Sequence, residues 1–276
     1  MEEIYQVGGK LECVITLKDN LARSKSGRIY VDDFCNQHNI EIVKIRKVND
    51  PEAIEAIQRH EIDWLFIIGW SQIARREVLQ APKRGVLGMH PTLLPQGRGR
   101  AAIPWAIIKG LDKTGVTMFQ LDEGVDTGPI VAQEMLPIAP DETATSLYQR
   151  VNDAHRRLMR RVWPDLVADR LVFQQQDESQ ATEWPGRTPE DGSIIQTMDC
   201  KTVDRLVRAT THPYPGAFLD YEEKRYRIWH GCAHPGLSLD VAFRIDDAQG
   251  RLWISLYDGC YEATEWETPE PDNLSP

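Results

Sequence analysis

The 276-residue chain carries 42 acidic and 32 basic side chains, a formal charge of −10, which argues against a nucleic-acid partner because such binders gather positive charge to release counterions from phosphates. Hydrophobic residues make up 41% and mean hydropathy is −0.44, ordinary for a folded soluble protein. No apolar run approaches the roughly 18 residues of a membrane span, and Met1 is followed by Glu2 and Glu3 rather than by a signal sequence, so a cytoplasmic location without a membrane partner is expected.

The length exceeds the usual single-domain mode, so a sizeable core with a smaller appended module is expected. In chain order, Leu11 to Leu17, Glu41 to Ile45 and Ile62 to Gly69 are short apolar or β-branched runs that read as strands, the last apolar enough to be buried on both faces. Between them, Ile29, Tyr30, Phe34 and Cys35 fall at helical spacing within 27–39, and Asp50 before Pro51 reads as a helix cap with proline in the first turn. Gly85 to His90 follows as a strand, Ala101 to Gly110 as a helix, Thr114 to Asp122 and Pro129 to Leu136 as strands, and Thr143 to Asp169 as one long helix. This alternation predicts an α/β fold with a parallel sheet between helices, in which ligands lie beyond the carboxyl ends of the strands.

After the long helix, Gln174 to Thr182 and the segment WPGRTPEDG read as a linker. A short helix near Thr202 to Thr210 and the alternating Tyr226, Ile228 and Leu252, Ile254, Leu256 predict a small β-rich module. The expected division is 1–180, 181–265 and a disordered tail, 266–276, of which TPEPDNLSP is the clearest part. Cys13, Cys35, Cys200, Cys232 and Cys260 lack any CxxC, so buried free thiols are expected rather than a disulfide framework or a zinc site.

The stretch GMHPTLLPQGRGR, Gly88 to Arg100, places His90 at the carboxyl end of a strand. Asp126, in LDEGVDTGPI, lies in a second loop bracketed by Gly124 and Gly128. A carboxylate beside an imidazole holds it in one tautomer and favours its charged form, and such a histidine stabilises oxyanion charge in acyl transfer.

HPTLLP, RGRAAIPW, TGVTMFQLDEGVDTGPIVAQ, GRTPEDG and RATTHPYPGAF occur in that order. Together, over about Leu11 to Trp229, they resemble the folate-dependent formyltransferase family, most closely the branch that formylates amino sugars on nucleotide carriers, such as UDP-4-amino-4-deoxy-L-arabinose, and more distantly the methionyl-tRNA formyltransferases. The resemblance implies a Rossmann-like catalytic domain with a barrel-like C-terminal module, and attack of a substrate amine on the formyl carbon of 10-formyltetrahydrofolate. By the same resemblance His90 hydrogen-bonds the formyl oxygen, while Asp126 positions it and helps manage the amine proton. Gly69, Trp70, Ser71, Gln72 and Ile73, with Leu121, Asp122, Glu123 and Gly124, match the folate-binding loops. Lys25, Ser26, Gly27 and Arg28 are candidates for the pyrophosphate of a nucleotide sugar near a helix start, with Arg98 and Arg100 as further donors. Tyr214 and Phe218 of PYPGAF would close over the substrate. The implied partner is a nucleotide-linked amino sugar, with no metal and a homodimer as the expected assembly.

The chain departs from the family twice. The family's usual Asn, two residues before the histidine, is Gly88 here, and losing one oxyanion donor costs about 100- to 1000-fold in turnover. A backbone N–H at Gly88, an ordered water, Gln72 or Gln120 are the candidate replacements. The family also opens with a strand, normally central, before the segment matching Gln6 to Leu17; here an open sheet position and a shortened start are expected. These departures keep open a silent binding protein, or a hydrolase that releases formate.

Other features have plainer readings. Arg98 and Arg100 serve equally as structural salt-bridge partners, and SKSGR as a solvated helix start. His230, Cys232 and His234 in HGCAH give at most three metal ligands from one strand, without a marked fourth. The face made by His155, Arg156, Arg157, Arg160 and Arg161 reads as the solvated side of a long helix rather than a nucleic-acid surface. Gly8 and Gly9 are too little for a dinucleotide fingerprint.

Overall fold

The computed structural model describes residues 1–22, 29–246 and 249–268. Lys25, Ser26, Gly27 and Arg28, and nearly all of the expected C-terminal tail, lie outside the described residues. The chain divides into two compact units: 1–102, 114–136 and 150–185 form one, and 103–113, 137–149 and 186–276 the other.

The first unit opens with helix α1 (Glu2–Gln6), strand β1 (Cys13–Leu17), α2 (Asp19–Ala22), α3 (Asp32–His38) and β2 (Glu41–Ile45). Next come α4 (Pro51–Arg59), β3 (Trp64–Ile68), α5 (Arg76–Leu79) and β4 (Gly85–His90). Pro51 stands in the first turn of α4, and Ala53, Ala56 and Ile57 line its buried face at the i, i+3, i+4 spacing. Asp50 does not cap this helix with its side chain; its Oδ2 accepts instead from the backbone N–H groups of Arg46 and Lys47 in the preceding turn.

The strands do not form one parallel sheet. β1 and β2 pair parallel as a two-stranded sheet, while β3, β4, β6 (Lys113–Gln120) and β7 (Ile130–Pro137) make a second sheet in that order. β3 runs parallel to β4, but β6 runs antiparallel to it, with Gly88 opposite Phe119 and His90 opposite Thr117. The segment 103–113, which includes most of helix α6 (Ala102–Ile108), belongs to the other unit. β4, between two neighbours, is buried over Val86 to His90. β3 is only half-buried over Trp64 to Ile67, against the expectation of burial on both faces, because it is the edge of its sheet. Within the loop that follows β4, the short strand β5 (Arg98–Gly99) pairs parallel with β8 (Glu183–Trp184).

Most of helix α7 (Ala144–Val167) belongs to this unit. Its arginines anchor the structure: Arg156 bonds to Glu2, Arg157 to Glu134, Arg160 to Glu3 and Gln6, and Arg161 to the carbonyl of Gln133. His155 departs from the expected solvated face. It is half-buried, and burial lowers its pKa to about 4, the carbonyl of Val151 opposing and the charge of His90 adding.

In the second unit, α8 (Cys200–Thr210) packs on a five-stranded sheet ordered β11 (Phe243–Asp246), β12 (Arg251–Leu256), β13 (Gly259–Glu267), β10 (Lys224–Pro235), β9 (Ala217–Tyr221). Val203, Leu206 and Val207 of the helix meet Ile228, Leu252, Ile254 and Tyr261 in its core, which is the β-rich module anticipated from the alternating residues. Of the cysteines, Cys35, Cys200 and Cys260 are buried, but Cys13 is half-buried and Cys232 exposed. No helix among the described residues is long and apolar enough to cross a membrane.

Candidate active site

His90 ends the interior strand β4 and is 8% exposed. Its Nε2 lies 2.7 Å from the carbonyl oxygen of Gly97, and its Nδ1 lies 3.4 Å from Oδ2 of Asp126. A carbonyl only accepts, so Nε2 carries a proton and donates it to Gly97. The other nitrogen, Nδ1, faces the carboxylate of Asp126, which fixes the orientation of the ring from its second side.

Gly97 presents its carbonyl because the loop after β4 turns back sharply. Its φ is +72°, a left-handed conformation, and a Cβ there would come within 3 Å of Trp184 and Thr92. Gly99 has φ +106°, and a Cβ there would stand 2.4 Å from the carbonyl oxygen of Trp184. The absence of side chains lets the loop lie on β8 and aims the Gly99 N–H at Asp126 Oδ2, 2.8 Å away. Asp126 itself is left-handed, φ +55°, a region in which Asp is better tolerated than most residues.

The Asp126 loop is held from outside by residues that the sequence did not mark. Gln176 donates to the carbonyls of Asp126 (2.8 Å) and Gly128 (2.7 Å), and its Oε1 accepts from Arg98 Nη2 at 2.8 Å. Arg98, 3% exposed, also forks onto both carboxylate oxygens of Glu178, at 2.9 and 2.7 Å. Hydrogen bonding to Glu178 raises the Arg98 pKa and lowers that of Glu178. Gln174 to Thr182, read as linker, is therefore a brace: Gln174 bridges Ile130, and Thr182 Oγ1 accepts from the Gly97 N–H. Arg98, expected as a substrate donor, is engaged within this brace. Arg100 is exposed. Tyr214 belongs to the other unit, where burial raises its phenol pKa.

Gly88 shares the face of β4 with His90, two residues away. A Cβ at Gly88 would stand 2.3 Å from Leu121 Cδ1 and 3.3 Å from the Phe119 ring, so the space of the family's Asn is filled by a leucine methyl. The two amides considered as replacements point elsewhere. Gln72 accepts from Val48 N–H and donates to the Arg46 carbonyl, and the Gln120 amide lies against Gly85 at the far end of β4. The Gly88 N–H belongs to an interior strand, whose amides face its ladders.

The loop 69–73 leaves the carboxyl end of β3 beside the end of β4, since Ile68 pairs with Met89. Gly69 has φ +68° with open space around it, and Ser71 and Ile73 are exposed. The indole N–H of Trp70 is buried without a partner among the described residues, an unfilled donor in the segment expected to meet folate. In the second segment expected to meet folate, Asp122 and Glu123 are exposed; Asp122 Oδ1 closes its own loop by accepting from Gly124 N–H (3.0 Å) and Thr127 Oγ1 (2.6 Å), and the Leu121 side chain takes the space beside Gly88.

HGCAH does not act as one set. His230 lies 3.7 Å from Glu265, while Cys232 and His234 converge on Glu262 of β13, a residue the sequence did not suggest.

A family model described as formyl transferase matches residues 4–163, and one described as formyl transferase, C-terminal domain, matches 187–273. Among solved structures, HypX from Aquifex aeolicus in complex with tetrahydrofolic acid is 21% identical with a TM-score of 0.68, covering 94% of this chain and 45% of that one. Methionyl-tRNA formyltransferase from Clostridium thermocellum is 20% identical with a TM-score of 0.61, covering 94% and 98%. An N-formyltransferase from Helicobacter canadensis, in complex with folinic acid and dTDP-3-aminofucose, is 15% identical with a TM-score of 0.62, covering 94% and 100%. The chain spans less than half the length of the HypX chains it matches.

Proposed function

The chain belongs to the formyl transferase family, and we propose that within it the protein transfers the formyl group of 10-formyltetrahydrofolate to the amine of a nucleotide-linked amino sugar. The observation that carries this reading is the His90 imidazole clamped between the Gly97 carbonyl and Asp126 at a strand end. The amine lone pair attacks the formyl carbon, the carbonyl π pair moves to oxygen, and collapse breaks the bond to N10 of the folate. The amine proton passes to the carboxylate of Asp126, and N10 of tetrahydrofolate takes up a proton. In this reading the Nε2–H now given to Gly97 is the donor that the formyl oxygen takes over as charge develops, a tightening common between free and occupied sites. The tetrahydrofolate complex of HypX and the folinic acid complex of the Helicobacter canadensis enzyme support a folate co-substrate. The latter's dTDP-3-aminofucose, with the net charge of −10, supports a sugar nucleotide over tRNA. We place the reaction in the cytoplasm and expect a homodimer, which light scattering of the purified chain checks.

Leu121 in the space beside Gly88 favours a second reading, a folate or nucleotide-sugar binding protein without turnover. One assay separates the two: 10-formyltetrahydrofolate with UDP-, GDP- and dTDP-linked amino sugars, for the parent and His90→Ala. Formylated sugar from the parent alone supports transfer. Formate without any amine identifies a hydrolase, and folate binding without either product overturns the transferase reading.

A further inference from the structure

The second unit holds a constellation that formyl transfer does not use. On β10, Cys232 and His234 are two residues apart and so share a face, and β13 places Glu262 directly opposite Cys232 in the antiparallel register. Cys232 Sγ lies 3.3 Å from His234 Nε2 and 3.5 Å from Glu262 Oε2, and His234 Nε2 lies 2.9 Å from that same oxygen. Three donor atoms of three chemical types thus form one small triangle. From this convergence we propose that Cys232, His234 and Glu262 form a binding site for a borderline-soft divalent cation, Zn²⁺ in the first instance, with its fourth position open to water.

The dimensions match such an ion. Tetrahedral zinc, with bonds of about 2.3 Å to sulfur and about 2.0 to 2.1 Å to nitrogen and oxygen, sets its ligand atoms about 3.3 to 3.6 Å apart. Both sides of the triangle that meet at sulfur already have this length. The third is a hydrogen bond in the cation-free chain and needs to open by about 0.4 Å when a metal displaces its proton. The donor set of thiolate, imidazole and carboxylate suits zinc and excludes Mg²⁺ and Ca²⁺, which take oxygen ligands.

The surroundings hold the ligands in place. The Glu262 side chain is 5% exposed, and its other oxygen, Oε1, is bound by Arg251, which fixes the carboxylate plane and leaves Oε2 to face Cys232 and His234. The Trp253 ring, 5.3 Å from the His234 ring, packs against the imidazole. Cys232 is exposed and borders a cavity of about 430 Å³, also lined by Asp141 and by Asp204 paired with Arg208 at 2.8 Å, so a cation has open access to the sulfur. Three protein ligands with an accessible fourth position is the pattern of zinc sites that bind water or a small ligand rather than of closed structural sites. The site stands on the second unit alone and does not rest on the formyl-transfer reading.

The test uses the full chain after chelator treatment, titrated with Co²⁺ alone and then with Zn²⁺ alone. One Co²⁺ per chain is expected, with a thiolate-to-cobalt charge-transfer band in the near ultraviolet that Zn²⁺ abolishes. Cys232→Ser, a near-isosteric change at an exposed position, is expected to remove the band while circular dichroism stays unchanged. His234→Ala is expected to weaken Zn²⁺ binding at least about 100-fold. The proposal fails if Co²⁺ does not bind, if it binds with the band retained in Cys232→Ser, or if the spectrum shows an oxygen-ligated ion without sulfur. Formyl transfer measured on the same samples keeps a failure of this site distinct from a failure of the catalytic reading.

Discussion

Replacing Gly88 by asparagine tests how this site is built. The new Cβ would stand 2.3 Å from Leu121 Cδ1, where ordinary contact begins near 3.4 Å. The leucine methyl must therefore retreat by about 1 Å inside a packed site, and overpacking of this kind costs about 1 to 3 kcal/mol. Leu121→Ala removes the colliding atoms at a cost of about 1 to 2 kcal/mol, less than a core leucine because the side chain is only half-buried. In the double variant the clash is absent, so the two changes are expected to couple favourably by about 1 to 3 kcal/mol. Equilibrium denaturation of the parent, both single variants and the double variant measures this term. Single-turnover formyl transfer on the same four proteins measures the other: an amide restored beside His90 is expected to raise the rate up to about 100-fold in the double variant and much less in Gly88→Asn alone. Additive stabilities would refute the packing argument. A double variant that binds folate but transfers no faster than the parent would show that an amide at this position is not the limiting oxyanion donor.

His155 makes stability depend on pH. Its folded pKa, about 4, lies below the ordinary 6.5, so the unfolded chain takes up a proton first as pH falls; the stabilisation is fully present above 6.5 and is lost between about 6.5 and 4, about 3 kcal/mol in all. His155→Gln is expected to flatten urea-denaturation midpoints across that window, and an unchanged slope would count against a buried neutral imidazole. Asp126→Asn keeps a side chain tolerant of the left-handed backbone but loses the carboxylate facing His90, and kcat is expected to fall about 100- to 10,000-fold with the fold intact. Gln176→Leu leaves the carbonyls of Asp126 and Gly128 without their donor. A destabilisation of about 1 to 3 kcal/mol is expected, with kcat falling more than KM changes, as befits a residue that positions Asp126. Gly97→Ala forces a Cβ against Trp184 and Thr92 at φ +72° and is expected to displace the carbonyl that binds His90, seen as loss of activity with a lowered melting temperature.

The sequence by itself determined the strand that ends at His90 and the glycine-bracketed loop that carries Asp126. Both are local signals, an apolar run with a polar end and a turn between two strands, and local backbone preferences are sufficient to produce them. The alternation at 226–228 and 252–256 likewise specified the β-rich module. The path of the chain between strands was a different matter: periodicity is the same for parallel and antiparallel neighbours, so the reversal of β6 against β4 was not legible. Composition also misled where a polar segment turned out to be structural, because Gln174 to Thr182 has the look of a linker until Gln176 is seen to hold the Asp126 loop and Arg98. Only the tertiary structure decided that Leu121 fills the space beside Gly88, and that Glu262 joins Cys232 and His234 while His230 does not. Such contacts join residues 28 to 78 positions apart, and they depend on register and on how side chains from different strands and loops share a volume, which no local pattern encodes.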